Sequence, residues 1–274
     1  MTDIEESFAI NKARWSEVVE IHARSAFYRV AEFLKGEDVL SPIESAEIGP
    51  LQGKHLLHLQ CHLGLDTLSL VRRGAIATGL DFSPQAIAKA EDLSQASGIP
   101  ARFVEGNVYD TPRLIAERFD VVYVTWGAIC WLPDIARWAE VVAAMLAPGG
   151  VLYLLEGHPY AHVLEQTEAD GPLIATYDYF QGAAPLVFRD EATYADASAQ
   201  IVNREAHEWN HAIGSILNAL IEAGLVLEWL HEHDRLAWRL YKCLEEGPDR
   251  MFRLPADRPK LPLAFSLKAR RPLS

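Results

Sequence analysis

Short apolar runs separated by turn residues occupy the middle of the chain: HLLHL at 55–59, AIATGLD at 75–81, ARFVEG at 101–106, DVVYVT at 120–125 and GVLYLLE at 150–156. Runs of this length bounded by Gly, Pro, Asn and Asp read as buried strands. The stretches between them have helical character, and two of them open on an N-cap hydroxyl followed by proline, Ser83-Pro84 and Thr111-Pro112, proline being tolerated where the first helical N–H has no partner anyway. After the periodic segment IARWAEVVAAML, Ala147-Pro148-Gly149-Gly150 stops the helix and turns the chain into the next strand. This alternation predicts a parallel sheet with helices on both faces.

The last third departs from that rhythm. Residues 158–210 hold no long helical pattern but do hold Tyr160, Tyr177, Tyr179, Phe180, Phe188, Tyr194 and Trp209, and are expected to form an inserted cap. PLVFRDEATYA and QIVNREAHEW alternate as a hairpin would, joined at Asp196-Ala197-Ser198. A helix follows in IGSILNALIEAG, stopped by Gly224, then strands in LVLEWLHEH and PLAFSLKAR with no helix between them, an order that makes this last pair antiparallel. At the front, Trp15, Val18, Val19, His22 and Ala26 share a helical face across residues 9–35. The expected organisation is a helical lid over 1–50 and a main domain over 51–274 that carries the cap at 158–210.

Composition narrows the partners. With 25 Lys and Arg against 38 Asp and Glu, the chain carries a formal charge of −13, a field that repels nucleic-acid backbones and anionic membranes. Its three cysteines, Cys61, Cys130 and Cys243, offer no disulfide framework and no C-x-x-C knuckle, and no run reaches the ~20 apolar residues of a membrane span. The opening MTDIEESFAI lacks the basic and apolar regions of a signal peptide. A cytoplasmic protein whose partners are neither nucleic acid nor membrane is expected.

Open α/β sheets bind ligands beyond the carboxyl ends of their strands. At those positions stand Gln60, His62 and Gly64 after the first strand, Asp81 and Phe82 after the second, Asn107 and Val108 after the third, and Thr125 and Trp126 after the fourth. Asp81 lies at the distance along the chain that brings a carboxylate to the hydroxyls of a bound ribose. Phe82 is placed to cover an adenine face, and Asn107 and the Val108 N–H to meet a purine edge. A pyrophosphate needs the three glycines of G-x-G-x-x-G, whereas this loop keeps only Gly64, with Gln60 and His62 in the other turn positions. An adenosyl cofactor without phosphate, S-adenosylmethionine, suits such a loop better than a nicotinamide dinucleotide.

In LLHLQCHLGLDTLSLVRRGA, TGLDFSPQAIAKA, FVEGNVYD, FDVVYVTWGAICWLPD and LAPGGVLYLLEGHP, the chain resembles the class I S-adenosylmethionine-dependent methyltransferases over roughly residues 52–158. WSEVVEIHARSAFY and EWNHAIGSILNALIEAGL are similar to a bacterial small-molecule subgroup. The resemblance implies an α/β fold with a Rossmann-like, seven-stranded mixed sheet whose last strand is reversed. It also implies methyl transfer, with Asp81 the position that carries over best and Phe82, Asn107, Val108 and Thr125 behind it. His58, Gln60 and His62 replace the acidic residue and glycines usual in the family's first motif.

In-line methyl transfer asks mainly for alignment, and for a base where the acceptor carries a proton. His158, directly after the fifth strand, and His211, at the entrance to the late helix, are the catalytic candidates. Tyr28 is assigned to the cofactor, and His22, Trp126, Tyr160 and Trp209 to the substrate wall. His58 and His62 stand too far apart in an extended strand to share an ion. His231 and His233, ~6.6 Å apart on one strand face, lack a third ligand, so no metal is expected. The other readings are a non-catalytic S-adenosylmethionine-binding or regulatory protein and an NAD(P)-dependent oxidoreductase.

Overall fold

A computed structural model describes residues 4–180 and 182–273. Three helices open it, α1 (Ile4–Arg24), α2 (Val30–Leu34) and α3 (Pro42–Glu47). Then come β1 (His55–Leu59), α4 (Leu65–Arg72), β2 (Ile76–Asp81), α5 (Pro84–Ser97), β3 (Arg102–Glu105), α6 (Thr111–Leu114), β4 (Phe119–Thr125), α7 (Ile135–Met145) and β5 (Leu146–Gly157). The cap region contributes β6 (Leu164–Glu165), β7 (Ile174–Ala175), β8 (Leu186–Arg189) and β9 (Glu205–Glu208). The chain closes with α8 (Ile213–Glu222), β10 (Val226–His233), β11 (Arg235–Leu236), β12 (Glu245–Glu246), β13 (Phe252–Arg253) and β14 (Ala264–Arg270).

The main sheet has seven strands in the order β10-β14-β5-β4-β1-β2-β3, with β14 antiparallel to both β5 and β10 and the other pairings parallel. Alternation along the strands makes two cores. Leu57, Leu59, Val122, Val124, Leu152 and Leu154 face Trp138, Val142 and Leu220 of α7 and α8. Leu56, Val121, Tyr123, Tyr153 and Leu155 face Ile43 of α3 and Leu70 of α4. Each of these apolar side chains is almost wholly withdrawn from water, contributing roughly 1.5–3 kcal/mol apiece. The order reverses between β1 and β4, so their carboxyl ends open the crevice where a ligand is expected.

Ser83 caps α5 as the sequence predicts, its hydroxyl accepting from the Ala86 N–H with Pro84 at the first helical position. Thr111 does not cap: its hydroxyl donates back to the Val108 carbonyl, and Asp110 precedes the helix. The front helix is shorter and earlier than the pattern over 9–35 suggests. It ends at Arg24 because Ser25 turns its N–H and hydroxyl onto the His22 carbonyl, and Arg29 then takes a left-handed φ of 53°. Ala26 therefore leaves the face shared by Trp15, Val18, Val19 and His22.

The expected hairpin forms, with β8 pairing antiparallel to β9. Its connection is longer than Asp196-Ala197-Ser198, running from 190 to 204. The hairpin is fastened to α1. Asn11 donates to the His207 carbonyl at 2.8 Å and accepts its N–H at 2.9 Å, Ser7 bonds the His207 ring, Arg14 reaches Asp190, and Glu17 accepts from the Val202 and Asn203 N–H groups. Between β10 and β14 there is no helix but a small sheet ordered β11-β13-β12.

Candidate functional site

The loop after β1 has an unusual backbone. Gln60, His62 and Gly64 all take positive φ, 59°, 47° and 71°, the conformation glycine adopts freely and other residues hold at a cost of about 1 kcal/mol or more each. Gln60 and His62 thus sit at the turn positions the sequence assigned them, and the loop keeps its shape without their being glycine. Gly64 has a packing reason for its identity: a Cβ there would lie 2.7 Å from the Phe103 ring and 2.8 Å from the Ala90 Cβ.

Asp81 holds this loop. Its Oδ2 accepts the His62 N–H at 2.9 Å and its Oδ1 the Ser83 N–H at 2.9 Å. Burial pushes the carboxyl up to about 6, against the pull of these N–H groups and of Lys12. Phe82 is half-buried beside it. Asn107 uses its side-chain oxygen to accept the Tyr109 N–H at 3.0 Å, leaving its NH2 group for a ligand. Val108 begins the 3-10 turn that Asn107 caps, so its N–H has no partner within the turn.

Over the loop lies an aromatic cover. His62 Nε2 and His22 Nδ1 are 2.9 Å apart and share one proton, and burial holds both rings below the ordinary histidine range, His22 at about 4. Tyr28 stacks on His22 and its hydroxyl bonds that of Tyr194 from the cap. Trp15 meets His22, His62 and Trp131 edge-on. Around this loop Trp15 Nε1, His22 Nε2 and Gln60 Oε1 are buried without a partner among the described residues. Gln60 spends only its NH2, on the Ala128 carbonyl. Native interiors rarely leave such atoms unsatisfied, so the crevice fits a polar ligand. Thr125 Oγ1, also buried, lies near the Tyr123 phenol without a well-shaped bond.

A second space adjoins the carboxyl ends of β4 and β5. It is a cavity of about 50 Å3 lined by Gly127, Ile129, Cys130, Glu156, Gly157, Pro159 and His162, by Trp209, Asn210 and His211, and under the hairpin by Leu186, Phe188 and Glu208. Glu156 shapes its floor, accepting the N–H groups of Gly127, Ala128 and Ile129 at 2.6, 2.6 and 2.9 Å. Burial nevertheless raises the Glu156 carboxyl, and it raises Glu208 to about 7 with help from Asp190. Trp209 lines this cavity, its backbone N–H on the Cys130 carbonyl at 2.7 Å. A larger cleft of about 340 Å3 lies at the amino ends of the strands beside Ala143, Gly224 and Arg271, away from this chemistry.

Several expected site residues stand elsewhere. His158 does not line the cavity. Its Nδ1 accepts the Tyr160 N–H at 3.1 Å, so Nε2 carries the proton, which it donates to Glu232 at 3.1 Å. With both nitrogens engaged, this ring is a brace between β5 and β10 and not a base. Trp126 is held by Glu44 at 3.0 Å and packs edge-on against Trp238, and Tyr160 is 41% exposed. Neither lines the cavity. His22 belongs to the aromatic cover over the loop and does not line the cavity. His211 does line the cavity, with Nε2 donating to the Leu132 carbonyl at 2.7 Å, which leaves Nδ1 as its basic nitrogen.

Glu156, His162 and Glu208 were not singled out from the sequence. For Glu208 a signal existed in the strand alternation, since it pairs with Leu186 and shares the inward face with Phe188. His231 and His233, with ring centroids 6.4 Å apart, meet Glu47, and among the described residues no three such groups are arranged to hold a metal. Nor is any described helix long and apolar enough to cross a membrane.

Comparison with known proteins agrees with this geometry. Residues 57–152 match the family model described as a methyltransferase domain. Ubiquinone biosynthesis O-methyltransferases are similar, that of Coxiella burnetii being 30% identical over 103 residues and that of Salmonella newport 33% over 107. In each case the match covers 38% of this chain and 43% of the relative, so the chain spans less than half the length of these relatives. The crystal structure of an S-adenosylmethionine-dependent methyltransferase from Mesorhizobium loti superposes with a TM-score of 0.58 at 21% identity, covering 87% of this chain and all of that one. Residues 57–152 thus resemble a methyltransferase domain, carried on a seven-stranded sheet in which the reversed strand β14 lies between β5 and β10.

Proposed function

We propose that this protein transfers a methyl group from S-adenosylmethionine to a small-molecule acceptor. The observation that carries the reading is the pairing of Asp81 with the left-handed loop at Gln60, His62 and Gly64, above which buried polar atoms of Trp15, His22 and Gln60 await a ligand. When bound, the cofactor supplies an activated methyl on a cationic sulfur. The chain's own residues would then hold it: Asp81 accepts from the two ribose hydroxyls, Phe82 covers the adenine, Asn107 and the Val108 N–H meet its edge, and Tyr28 with His62 closes the near side. Gln60, Gly64 and Thr125 border the same crevice.

A pyrophosphate is a poorer fit, because side chains at 60 and 62 stand where bare backbone would have to approach it. The helices of residues 1–50 and the cap at 158–210 cover the crevice and the adjoining cavity, which shields the reacting groups from water. Trp209 and His211 form part of the acceptor wall. Three cysteines without a disulfide suit the reducing cytoplasm.

Calorimetry with S-adenosylhomocysteine tests the binding site, and release of that product from S-adenosylmethionine in the presence of a metabolite extract tests turnover. Tight binding with release supports the enzyme. Binding without release across a broad acceptor screen would leave a sensor, and preference for a nicotinamide dinucleotide would overturn the reading.

A further inference from the structure

We infer that helix α1 reads the amino-acid end of the cofactor: the Trp15 and His22 ring N–H groups donate to its carboxylate, and the Gln60 side-chain carbonyl accepts from its ammonium. The inference rests on the methyltransferase reading and deepens it, naming the residues that separate a ligand with this zwitterionic end from an adenosyl compound without it.

Three buried atoms carry it. Trp15 Nε1, His22 Nε2 and Gln60 Oε1 are withdrawn from water and have no partner among the described residues, and His22 as a whole is only 1% exposed. They border one loop. Trp15 and His22 stand about two turns apart on α1, their ring centroids 5.8 Å from each other and 5.1 and 5.0 Å from that of His62. Gln60 precedes His62 in the loop, and its NH2 group is fixed on the Ala128 carbonyl at 2.8 Å, which leaves the oxygen as its unspent atom. Trp131, in the 3-10 turn that follows Ala128, closes against Trp15 with ring centroids 5.2 Å apart.

The polarity of these atoms selects the ligand. An indole N–H only donates and an amide carbonyl only accepts. When His62 supplies the proton between the two imidazoles, His22 Nδ1 accepts it and the His22 N–H stands on Nε2. Two donors beside one acceptor match a carboxylate beside an ammonium. The rest of the cofactor makes no call on them, since the ribose is met by Asp81, the adenine edge by Asn107 and Val108, and a sulfonium offers no hydrogen bond. A purely anionic end is a poorer occupant. Arg14, next to Trp15, is spent on Asp190 and on the carbonyls of Asn203 and Arg204, Lys12 is paired with Glu105, and the charges of Asp66 and Asp81 both reach Tyr28 in the cover. An end of zero net charge suits neutral donors in such a field.

Neither Trp15 nor His22 lies within the residues 57–152 that match the methyltransferase domain. Helix α1 supplies two of the three contacts, so a ligand bearing the amino-acid end ties this helix to the loop after β1. One lacking that end binds the loop and leaves α1 as it was.

Calorimetry compares S-adenosylhomocysteine with methylthioadenosine, which keeps the adenosine and the sulfur but has no amino-acid end. The parent is expected to bind S-adenosylhomocysteine about tenfold tighter or more. Trp15→Phe, which keeps the ring contacts and removes the N–H, should weaken S-adenosylhomocysteine about tenfold and leave methylthioadenosine within about twofold. His22→Gln, whose longer amide reaches the place of Nε2, should retain more S-adenosylhomocysteine affinity than His22→Asn. Amide exchange over residues 4–24 should slow with S-adenosylhomocysteine and not with methylthioadenosine. Equal affinities for the two ligands in the parent, an equal loss of both or of neither in Trp15→Phe, or equal protection of 4–24 by both would overturn the inference. Should Trp15→Phe fail to fold, the comparison of ligands in the parent and the two His22 variants decide. Binding of neither ligand to the parent would instead defeat the methyltransferase reading on which the inference stands.

Discussion

On the proposed reading, Asp81 is the residue whose ionisation most directly links the free protein to its ligand. Burial raises its carboxyl from 3.8 to about 6, so between about pH 4 and pH 6 the folded state binds more protons than the unfolded one, and the contribution of this group to stability falls as pH rises through that window. Two ribose hydroxyls would favour the anion and lower that value again. Cofactor affinity should therefore weaken as pH falls below about 6, and binding near pH 6 should release protons, which calorimetry in buffers of different ionisation enthalpy will detect. Asp81→Ala should weaken S-adenosylhomocysteine binding about 10- to 100-fold, the equivalent of roughly 1.5–3 kcal/mol; unchanged affinity would remove Asp81 from the site. His158 makes the opposite case. His158→Ala should cost about 0.5–1.5 kcal/mol in urea denaturation, because the half-buried bond from the Tyr160 N–H is lost, yet leave S-adenosylhomocysteine affinity near that of the parent.

At the scale of elements, the loop after β1 and the seam between α1 and the hairpin carry the consequences. The loop's left-handed turns depend on anchors outside it, namely Asp81 on the His62 N–H and the Leu80 carbonyl on the Cys61 N–H at 2.9 Å. The seam depends on Asn11, whose two hydrogen bonds to the backbone of His207 are both buried. Asn11→Ala leaves that N–H and carbonyl unsatisfied at a cost of about 1–3 kcal/mol, concentrated where α1 meets β9. Limited proteolysis should then cut the 190–204 connection faster than in the parent while the main sheet stays intact. A cleavage pattern identical to the parent's would show that the seam does not hold the hairpin down.

For the whole molecule, the cover over the loop and the roof of the cavity are one assembly. Helix α1 brings Trp15 and His22 to the loop, and the same helix is tied through Ser7, Asn11, Arg14 and Glu17 to the hairpin that supplies Phe188 and Glu208. A cavity of about 50 Å3 admits little more than water, so an acceptor must displace this assembly to enter. S-adenosylhomocysteine should slow amide exchange over 4–24 and 186–208 together, measured by mass spectrometry. Protection of one segment without the other would separate the two covers.

Local periodicity and turn chemistry determined much of this protein without tertiary information. The five parallel strands, the Ser83 cap, the reversed last strand, the turn positions at 60, 62 and 64 and the carboxylate at 81 all follow from patterns within a few residues of one another, where sterics and strand alternation act. The acceptor side did not. His158 is engaged at both nitrogens by Tyr160 and Glu232, whereas Glu208 is carried to the cavity wall by a hairpin docked on α1. Those partners lie up to about two hundred residues apart in the chain, and only long-range packing decides which side chains line the cavity and which stand elsewhere.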